Sequence, residues 1–475
     1  MPSSSLKIGL FAIGLDTYWD QFEGLKERLE GYLSEVHKKI AAINPHIINA
    51  GLVDTVDKAF EAGKLFRKED IDIIFLYVST YALSSTVLPV VQRAKVPVII
   101  LNLSPAAAID YEAFNKINDR TKMTGEWLTF CSACPVPEIA NVFNRTGIRF
   151  FEVTGMLHDE ESWREIKQWV EAAKVANIMF YNRMGCMGHY YSGMLDIYSD
   201  LTCQYANFGG HIEIIEVDEL SALRDDITDS SIKERVTLFY DTFSIQADCS
   251  QYELERAAKT SVALDRLVEK YQLGSMAYYY KGTPNSPNQD AISSIILGNS
   301  LLTARGIPVA GEYEIKNAQA MKIMDSFDAG GSFTEYYAMD YAEDVVLMGH
   351  DGPGHIAIAE GKTKVRPLYV YHGKVGNGLS VEMSVKKGTV TMLSIVQKMD
   401  GKLFLLIAEG ESVDGPILQI GNTNSRYKFS IGARQFVNSW NSHGPAHHCA
   451  VGVGHIASKI KKLGELLGIV SIQVC

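Results

Sequence analysis

The chain has 475 residues and a formal net charge of −11 at pH 7, with 47% apolar and 21% charged side chains. This length exceeds one compact domain, so two or three domains are expected. The acidic balance argues against a nucleic-acid or anionic-membrane partner because it leaves no large basic field, and no apolar run approaches the roughly 20 residues of a membrane span.

The first third of the sequence alternates short apolar segments with amphipathic ones. The predicted strands are Lys7–Ile13, His46–Ala50, Ile71–Val78 and Val96–Asn102, and the predicted helices are Phe22–Ile40, Val56–Arg67 and Ser84–Arg93. Alternating β and α segments predict a parallel sheet with helices on both faces. We therefore expect a flavodoxin-like or Rossmann-like α/β domain over residues 1–175.

The turn after the first predicted strand reads Gly-Leu-Asp-Thr-Tyr-Trp and lacks the glycine fingerprint of dinucleotide sites. A nicotinamide or flavin cofactor is therefore unsupported. Ligands of open α/β sheets bind beyond the carboxyl ends of strands, which is where Asp16, Tyr18 and Trp19 lie. Because carboxylates and aromatic faces suit a polyol, this turn is either a sugar-facing lip or a loop with one packed aromatic.

The seven cysteines are scattered, and their number is odd. This is not a disulfide framework, so a reducing cytoplasm is expected. Cys131 and Cys134 form a single C-x-x-C, which would need two further ligands to bind zinc. A redox pair is one interpretation, and two plain buried thiols are the interpretation that we prefer.

A second α/β pattern follows over residues 176–325. Its predicted strands are Asn177–Tyr181, His211–Val217 and Ser275–Tyr280, and its long predicted helices are Ile232–Phe243 and Gln251–Tyr271. From about residue 326 the sequence becomes β-rich. The predicted strands there are Asp344–Met348, Leu368–Tyr371, Val381–Val385, Thr389–Val396 and Leu403–Glu409. Asp400-Gly401 between the last two is a strong hairpin signal.

Three potential metal ligands lie at the ends of predicted elements. Glu312 precedes a helical pattern, Glu335 follows the end of that helix, and His350 follows an apolar strand. Residues held at the ends of rigid elements are typical of active sites. A later cluster contributes further imidazoles, namely His443, His447 and His448. Two carboxylates with two imidazoles suit Mn²⁺, Fe²⁺ or Zn²⁺ better than Ca²⁺, although each residue taken alone is more typical of a solvated surface.

Four segments in this part of the chain resemble the metal-site segments of the L-arabinose isomerase family, within the arabinose/fucose isomerase group. They are GEYEIKNAQAMKIM (311–324), GSFTEYY (331–337), LMGH (347–350) and the late pair of histidines. The resemblance implies that a divalent ion, Mn²⁺ or another, is bound by Glu312, Glu335, His350 and His448. It also implies that His447 lies beside the substrate.

The resemblance implies an aldose–ketose isomerase that acts on a small sugar, with Glu312 and Glu335 as the acid–base pair that moves protons between C1 and C2. It places Met184 and Tyr280 near the substrate and predicts a C-terminal antiparallel β-barrel over residues 326–475. It further implies a homo-oligomer, a trimer or a hexamer, in which the first domain of one subunit lines the active site of another.

Two segments beside the sugar differ from the family. Asp16 stands where the family has a glutamine, and Asp351 to His355 replace an apolar, cysteine-containing segment. Asp351 and His355 either orient His350 or form a plain turn. We expect arabinose to be a poor substrate or not the natural one. Two other functions stay open: a non-catalytic sugar-binding or sensor protein, and a metal-dependent epimerase or lyase acting on a sugar or sugar acid.

Overall fold

The computed structural model describes residues 5–369 and 376–475. These residues form two compact units, 5–177 and 178–475. The predicted boundary near 175 lies close to this division, and the further boundary near 325 stays a prediction. Within the described ranges, no helix combines the length and the apolar character needed to cross a membrane.

The first unit is an α/β unit built on a parallel sheet. Its elements are β1 (Ile8–Ile13), α1 (Leu25–Ile43), β2 (Ile47–Val53), α2 (Val56–Glu69), β3 (Ile73–Tyr77), α3 (Ser84–Ala94), β4 (Val98–Ser104), α4 (Tyr111–Lys116), α5 (Arg120–Leu128), α6 (Val136–Thr146), β5 (Phe150–Met156) and α7 (Glu160–Tyr181). The strand order is β2-β1-β3-β4-β5, and all pairings are parallel. This is the flavodoxin-like order, so the predicted fold of this part is confirmed.

The burial of the strands explains why the sequence predicts them well. Every residue of β1 and β3 is buried, as expected for parallel strands that are covered on both faces and therefore read as continuous apolar runs. Helix α1 buries Leu25, Leu29 and Leu33 at a spacing of four residues, which presents one apolar stripe to the sheet.

The strand predicted at Asn177–Tyr181 is wrong, because these residues form the last turns of α7. Val175 and Met179 are buried four residues apart, so the helical period of α7 continues through this apolar segment. Phe180 is exposed at the end of the helix. The next strand begins only at Arg183.

Cys131 and Cys134 are joined by a disulfide between α5 and α6. The expectation of two plain buried thiols is therefore wrong for this pair. The three-residue separation lets the turn between the two helices bring both sulfurs together, since the amide of Cys134 donates to the carbonyl of Cys131 (3.3 Å).

The second unit begins with a smaller α/β part. Its elements are β6 (Arg183–Gly188), α8 (Leu201–Phe208), β7 (His211–Ile215), α9 (Val217–Asp225), α10 (Asp229–Thr242), β8 (Ser244–Ile245), α11 (Gln251–Tyr271), β9 (Ser275–Tyr279), α12 (Pro287–Ser293), α13 (Ile296–Ala304), β10 (Val309–Ala310) and α14 (Ile315–Ser326). Strands β10-β9-β6-β7 form a parallel sheet, as the second α/β pattern predicts.

The rest of this unit is β-rich. Its elements are β11 (Ser332–Asp340), β12 (Val345–His350), β13 (Lys364–Leu368), β14 (Gly378–Glu382), β15 (Gly388–Gln397), β16 (Leu403–Val413), β17 (Thr423–Phe429), α15 (Ala433–Ser442), β18 (His448–Val453), α16 (Ala457–Leu467) and β19 (Val470–Gln473). Strands β15 and β16 form the hairpin predicted at Asp400-Gly401. Of the predicted strand Leu368–Tyr371, Val370 and Tyr371 lie outside the described residues.

The large sheet has the order β15-β18-β11-β12-β17-β16-β19 and is antiparallel except for the β16–β19 pairing. Strand β15 also pairs with β16. The predicted antiparallel domain is confirmed, but it is a sheet rather than a formal barrel. Strand β16 pairs with β15 along one edge. Along its other edge, residues 410–413 pair with β17 and residues 404–407 pair with β19. Only part of β16 is therefore available to close the sheet into a barrel through β17.

Candidate functional site

Three of the predicted ligands are brought together by strand pairing. Strand β11 lies between β18 and β12, and Glu335 on β11 stands directly opposite His448 on β18. On its other side Glu335 faces Gly349, the residue before His350 on β12. Side chains directly opposite each other in antiparallel strands have Cβ atoms only ~5 Å apart. The register of these strands therefore gathers one carboxylate and two imidazoles.

The fourth predicted ligand, Glu312, comes from the loop between β10 and α14. Glu312 and Tyr313 both have left-handed backbone conformations, with φ of 57° and 63°. The amide of Tyr313 donates to the carbonyl of Tyr278 (2.9 Å) and that of Glu314 to the carbonyl of Gly311 (3.0 Å), which holds this tight turn. Left-handed backbone costs an L-residue roughly 1–2 kcal/mol, and such strain is concentrated at functional sites.

The ligand atoms of the candidate residues fall into two overlapping groups. Ligand atoms of Glu335, His350 and His448 lie within 4.8 Å of one another, as do those of Glu312, His447 and His448. His448 belongs to both groups, and its Nε2 is 3.4 Å from Oε2 of Glu312.

The histidines present the nitrogen that a metal needs. Nδ1 of His448 donates to Oε2 of Glu314 (2.9 Å), and both side chains are fully buried. Its Nε2 is buried and, among the described residues, has no hydrogen-bond partner. Nδ1 of His350 likewise donates to the carbonyl oxygen of Asp351 (2.6 Å). These bonds fix the tautomer that leaves Nε2 free as a ligand, so the donor set fits a divalent ion.

Burial shifts the titration of two members of this set. The pKa of the Glu335 carboxyl is raised by burial, against the opposing effect of the imidazoles of His350 and His447. The pKa of His350 is lowered by burial and by the neighbouring His448. The shift of His350 favours the neutral imidazole, which is the form that binds metals, and the shift of Glu335 makes its carboxylate a stronger base.

His447 is held differently from its neighbour His448. Its Nδ1 donates to Oδ2 of Asp196 (2.6 Å), its amide donates to the same oxygen (3.0 Å), and its Nε2 lies 3.7 Å from Oε2 of Glu312. Burial opposes a charge on this imidazole, but the carboxylates of Glu312 and Asp196 outweigh it and raise the pKa of His447 to about 9. These contacts favour the protonated form of His447, which is a hydrogen-bond donor.

A cavity of about 170 Å³ opens beside these groups. Its lining combines carboxylates, imidazoles and aromatic rings, namely Tyr191, Met194, Tyr278, Ile296, Gly311, Glu312, Phe333, Glu335, His350, Asp351, Gly352, Pro353, Leu368 and His447. The ring of Phe333 packs against those of His350 (4.6 Å) and His448 (4.2 Å). Polar groups that converge on a partly apolar cavity are typical of small-molecule sites.

The structure places the other predicted substrate contacts elsewhere. Asp16 and Tyr18 lie in the first unit, where Asp16 is exposed and accepts from the amide of Thr17 (2.8 Å) and Tyr18 packs near Phe22. In the second unit, Met184 is buried within β6, and Tyr280 packs against the apolar core. The described residues that line the cavity include neither of them, and their substrate roles stay predictions.

The turn after His350 has two parts with different surroundings. Asp351 orients His350 through its carbonyl oxygen, and its carboxyl lies 3.6 Å from the same imidazole nitrogen. His355 is buried, and its Nε2 lies 3.6 Å from Oδ1 of Asp325. Asp351 therefore fits the interpretation in which the segment orients His350. His355 does not, because it lies against Asp325.

Several residues of the site are not predicted by the sequence. Glu314 and Asp196 hold the two adjacent imidazoles, and Tyr191 and Tyr278 line the cavity. Glu314 is the N-cap residue of α14, but its side chain makes no capping hydrogen bond. This is the one local feature that distinguishes it. Asp196 lies in a single 3-10 turn, Leu195–Ile197, and no sequence pattern around it predicts a role in the site.

Comparisons with known proteins give two matches, both to sugar isomerases. Residues 359–473 match the family model of the L-fucose isomerase C-terminal domain. The chain is also similar to the L-arabinose isomerase of Bacillus subtilis (strain 168), with 21% identity over 357 residues that cover 71% of this chain and 69% of that relative. The resemblance predicted from the four motifs is thus confirmed: both matches are to sugar isomerases of the arabinose/fucose isomerase group, which are intramolecular oxidoreductases.

Proposed function

We propose that the protein is a metal-dependent isomerase that interconverts the aldose and ketose forms of a small sugar. The observation that carries this proposal is the convergence of two carboxylates and two imidazoles, from Glu312, Glu335, His350 and His448, beside one cavity. A sensor would need neither the ligand set nor a pair of carboxylates. The family match supports the reaction type.

The reaction moves one hydrogen from C2 to C1 of the aldose and another from the C2 oxygen to the C1 oxygen. An ion held by the four ligands, Mn²⁺ or another divalent ion, would supply a Lewis acid for the negative charge that develops on these oxygens. Glu335, whose pKa is raised by burial, would take the proton from one carbon and return it to the other. Glu312 would carry the proton between the oxygens. Positioned groups of this kind contribute ~10²–10⁴-fold.

The remaining cavity residues would bind and orient the sugar. His447, whose protonated form is favoured by Glu312 and Asp196, would donate a hydrogen bond to a sugar oxygen. The rings of Tyr191 and Tyr278 would pack against the carbon skeleton and exclude water from the reacting carbons. Because Asp351 and Pro353 line the cavity, the segment that differs from the family would lie beside a bound sugar, and we propose that arabinose is not the preferred substrate.

We also propose, from the family resemblance, that the chain forms a homo-oligomer, a trimer or a hexamer. Asp16 and Tyr18 would then contact the sugar of a neighbouring subunit. A carboxylate at position 16 in place of an amide favours a substrate rich in hydroxyl donors, because a site built to bind a given hydroxyl rejects analogues that lack it.

The test is isomerisation of a sugar panel by the Mn²⁺-loaded protein. Pentoses, hexoses and 6-deoxy sugars, with L-arabinose included, are incubated in D₂O and followed by NMR for aldose–ketose conversion. We expect at least one sugar to convert, and Glu335→Gln to lower the rate by ~10²-fold or more. The matched control is Glu411→Gln, which removes an exposed carboxylate on β16 and should keep the activity of the parent protein.

Conversion of the sugar is the deciding signal, because a carboxylate that shields its proton from solvent leaves no deuterium in the product. If no sugar converts and Glu335→Gln binds sugars as well as the parent protein does, the sensor interpretation replaces this proposal. A large preference for L-arabinose would contradict the interpretation of Asp16 and of the segment after His350.

A further inference from the structure

Lys316 is a buried lysine in the first turn of α14, two residues after Glu314. Its side chain is 4% exposed, and a lysine is almost never buried this deeply unless it is paired. Its ammonium donates to the carbonyl oxygen of Asp196 (2.9 Å) and lies 3.4 Å from Oε1 of Glu314.

Each of these partners in turn holds one imidazole of the site. The second oxygen of Glu314 accepts from Nδ1 of His448 (2.9 Å), and the carboxylate of Asp196 accepts from Nδ1 of His447 (2.6 Å). One ammonium group therefore contacts the supports of both adjacent histidines. Lys316 is connected to His448 through the side chain of Glu314. It is connected to His447 through the backbone carbonyl and the carboxylate of Asp196.

Lys316 offsets the energetic cost of burying Glu314. The side chain of Glu314 is fully buried, and a buried carboxylate that loses its partner costs several kcal/mol. The ammonium of Lys316 places a positive charge beside this buried carboxyl group, whose other oxygen orients His448. The segment around Asp196 has no regular secondary structure beyond a single 3-10 turn. The same ammonium connects this segment to helix α14.

We propose that Lys316 is a positioning residue that fixes the orientation of both His447 and His448, an inference that rests on the proposed function. Lys316 is not among the residues that line the 170 Å³ cavity beside the ligand set, and it belongs to neither group of candidate ligands. Residues that orient metal ligands in this way typically change metal affinity by 10- to 100-fold when they are replaced.

The first test is Lys316→Met, which keeps the length of the side chain and removes its charge. Mn²⁺ affinity is measured by equilibrium dialysis, and kcat and KM by sugar conversion. We expect metal affinity to fall roughly 10- to 100-fold and kcat to fall even at saturating Mn²⁺, because His447 is displaced as well. Lys316→Arg, which keeps the charge, should recover part of the metal affinity.

The matched control is Lys322→Met on the same helix. Lys322 is a half-buried lysine whose ammonium donates to the carbonyl oxygen of Gly306 (2.8 Å), a residue that supports neither imidazole. We expect Lys322→Met to lose stability but to keep the Mn²⁺ affinity of the parent protein. Equal loss of affinity in the two variants would show a general structural effect and would overturn the positioning role.

A second variant separates a local effect from misfolding. Lys316 borders a separate cavity of about 290 Å³, lined also by Asp196, Tyr198 and Gly444 to Ala446. In Lys316→Ala this cavity should admit a small primary amine, so added propylamine should raise Mn²⁺ affinity in this variant and leave the parent protein and Lys322→Met unchanged. If Lys316→Met kept the Mn²⁺ affinity and kcat of the parent protein, the positioning role would be refuted and the proposed function would stand. If the parent protein bound no divalent ion, the proposed function itself would be refuted.

Discussion

The turn that presents Glu312 carries two adjacent L-residues in the left-handed region, Glu312 and Tyr313. Two competing effects act at position 312. A side chain there costs roughly 1–2 kcal/mol of backbone strain, whereas a glycine costs ~0.4–1 kcal/mol through the greater freedom of the unfolded chain. The strain is the larger of the two, so the protein would be more stable with glycine at this position. The retained glutamate indicates that its carboxylate serves function at the expense of stability.

This comparison gives a prediction for two variants that both remove the carboxylate. Glu312→Gly relieves the strain and Glu312→Ala retains it, so without divalent ions we expect Glu312→Gly to be more stable by ~0.5–1 kcal/mol. Urea unfolding of both proteins measures the difference, and both should have lost sugar conversion. An alanine variant as stable as the glycine variant would mean that the turn carries no strain at position 312.

The same turn shows what the sequence can and cannot predict for single residues. Glu312 is predicted because its segment matches a family motif. Glu314, two residues later in the same motif, is not predicted, because an acidic residue at the start of a helix is common wherever it meets the positive end of the helix dipole. Its partner His448 is 134 residues away in the chain, and no local pattern predicts such a pairing. Asp196 likewise pairs with a histidine that is distant in sequence, His447.

At the level of elements, the site depends on the close approach of β12 and β17. Gly349 pairs with Asn424 on β17, and a Cβ at position 349 would lie 2.0 Å from the carbonyl oxygen of Thr423 and 2.7 Å from Cα of Asn424. Both atoms belong to the backbone and cannot rotate away. Only glycine therefore allows β12 to deliver His350 to the ligand set.

We predict that Gly349→Ala separates β12 from β17 and weakens the metal site. Overpacking of this kind costs ~1–3 kcal/mol or more, so the free energy of unfolding should fall by at least that amount, and Mn²⁺ affinity should fall with it. The control is Gly31→Ala in α1, where nothing lies within 4 Å of the new Cβ and stability should stay the same or rise slightly. A Gly349→Ala protein with parental Mn²⁺ affinity would show that the ligand set tolerates a shift of β12.

The elements themselves are more predictable than their pairing. The parallel strands of the first unit can be predicted because short continuous apolar runs between turn residues are typical of strands buried on both faces. The segment after residue 176 is a helix end although its sequence favours a strand, because a short apolar run fits a buried helix equally well. The β11–β18 register is not predictable, since the strands are far apart in sequence and their alternation fixes faces but not partners.

At the scale of the whole molecule, the four proposed ligands all belong to the unit of residues 178–475. The unit of residues 5–177 has an apolar core of its own, built around Phe11, Phe66 and Ile100. A ligand stabilises only the structure that binds it. Metal should therefore stabilise the second unit and leave the intrinsic stability of the first unchanged.

We predict that calorimetry of the full chain shows two thermal transitions, of which only one depends on metal. An ion at a concentration of 100 Kd contributes about 2.7 kcal/mol, so exhaustive chelation should lower the midpoint of one transition by several degrees and leave the other in place. Re-addition of Mn²⁺ should restore it. Chelation without any effect on either transition would contradict the metal assignment, and an equal shift of both would show that the two units unfold together.

The pairing of β11 with β18 also bears on synthesis at the ribosome. Strand β18 carries His448 and lies between β11 and β15, so neither pairing can form until this late segment has been translated. A nascent chain that already contains Glu312, Glu335 and His350 still lacks a ligand and leaves the edge of β11 unpaired. Exposed strand edges promote aggregation, and chains fold as their domains are completed. A product terminated shortly before residue 448 should therefore be removed as a misfolded protein, and it should not persist as a weaker catalyst.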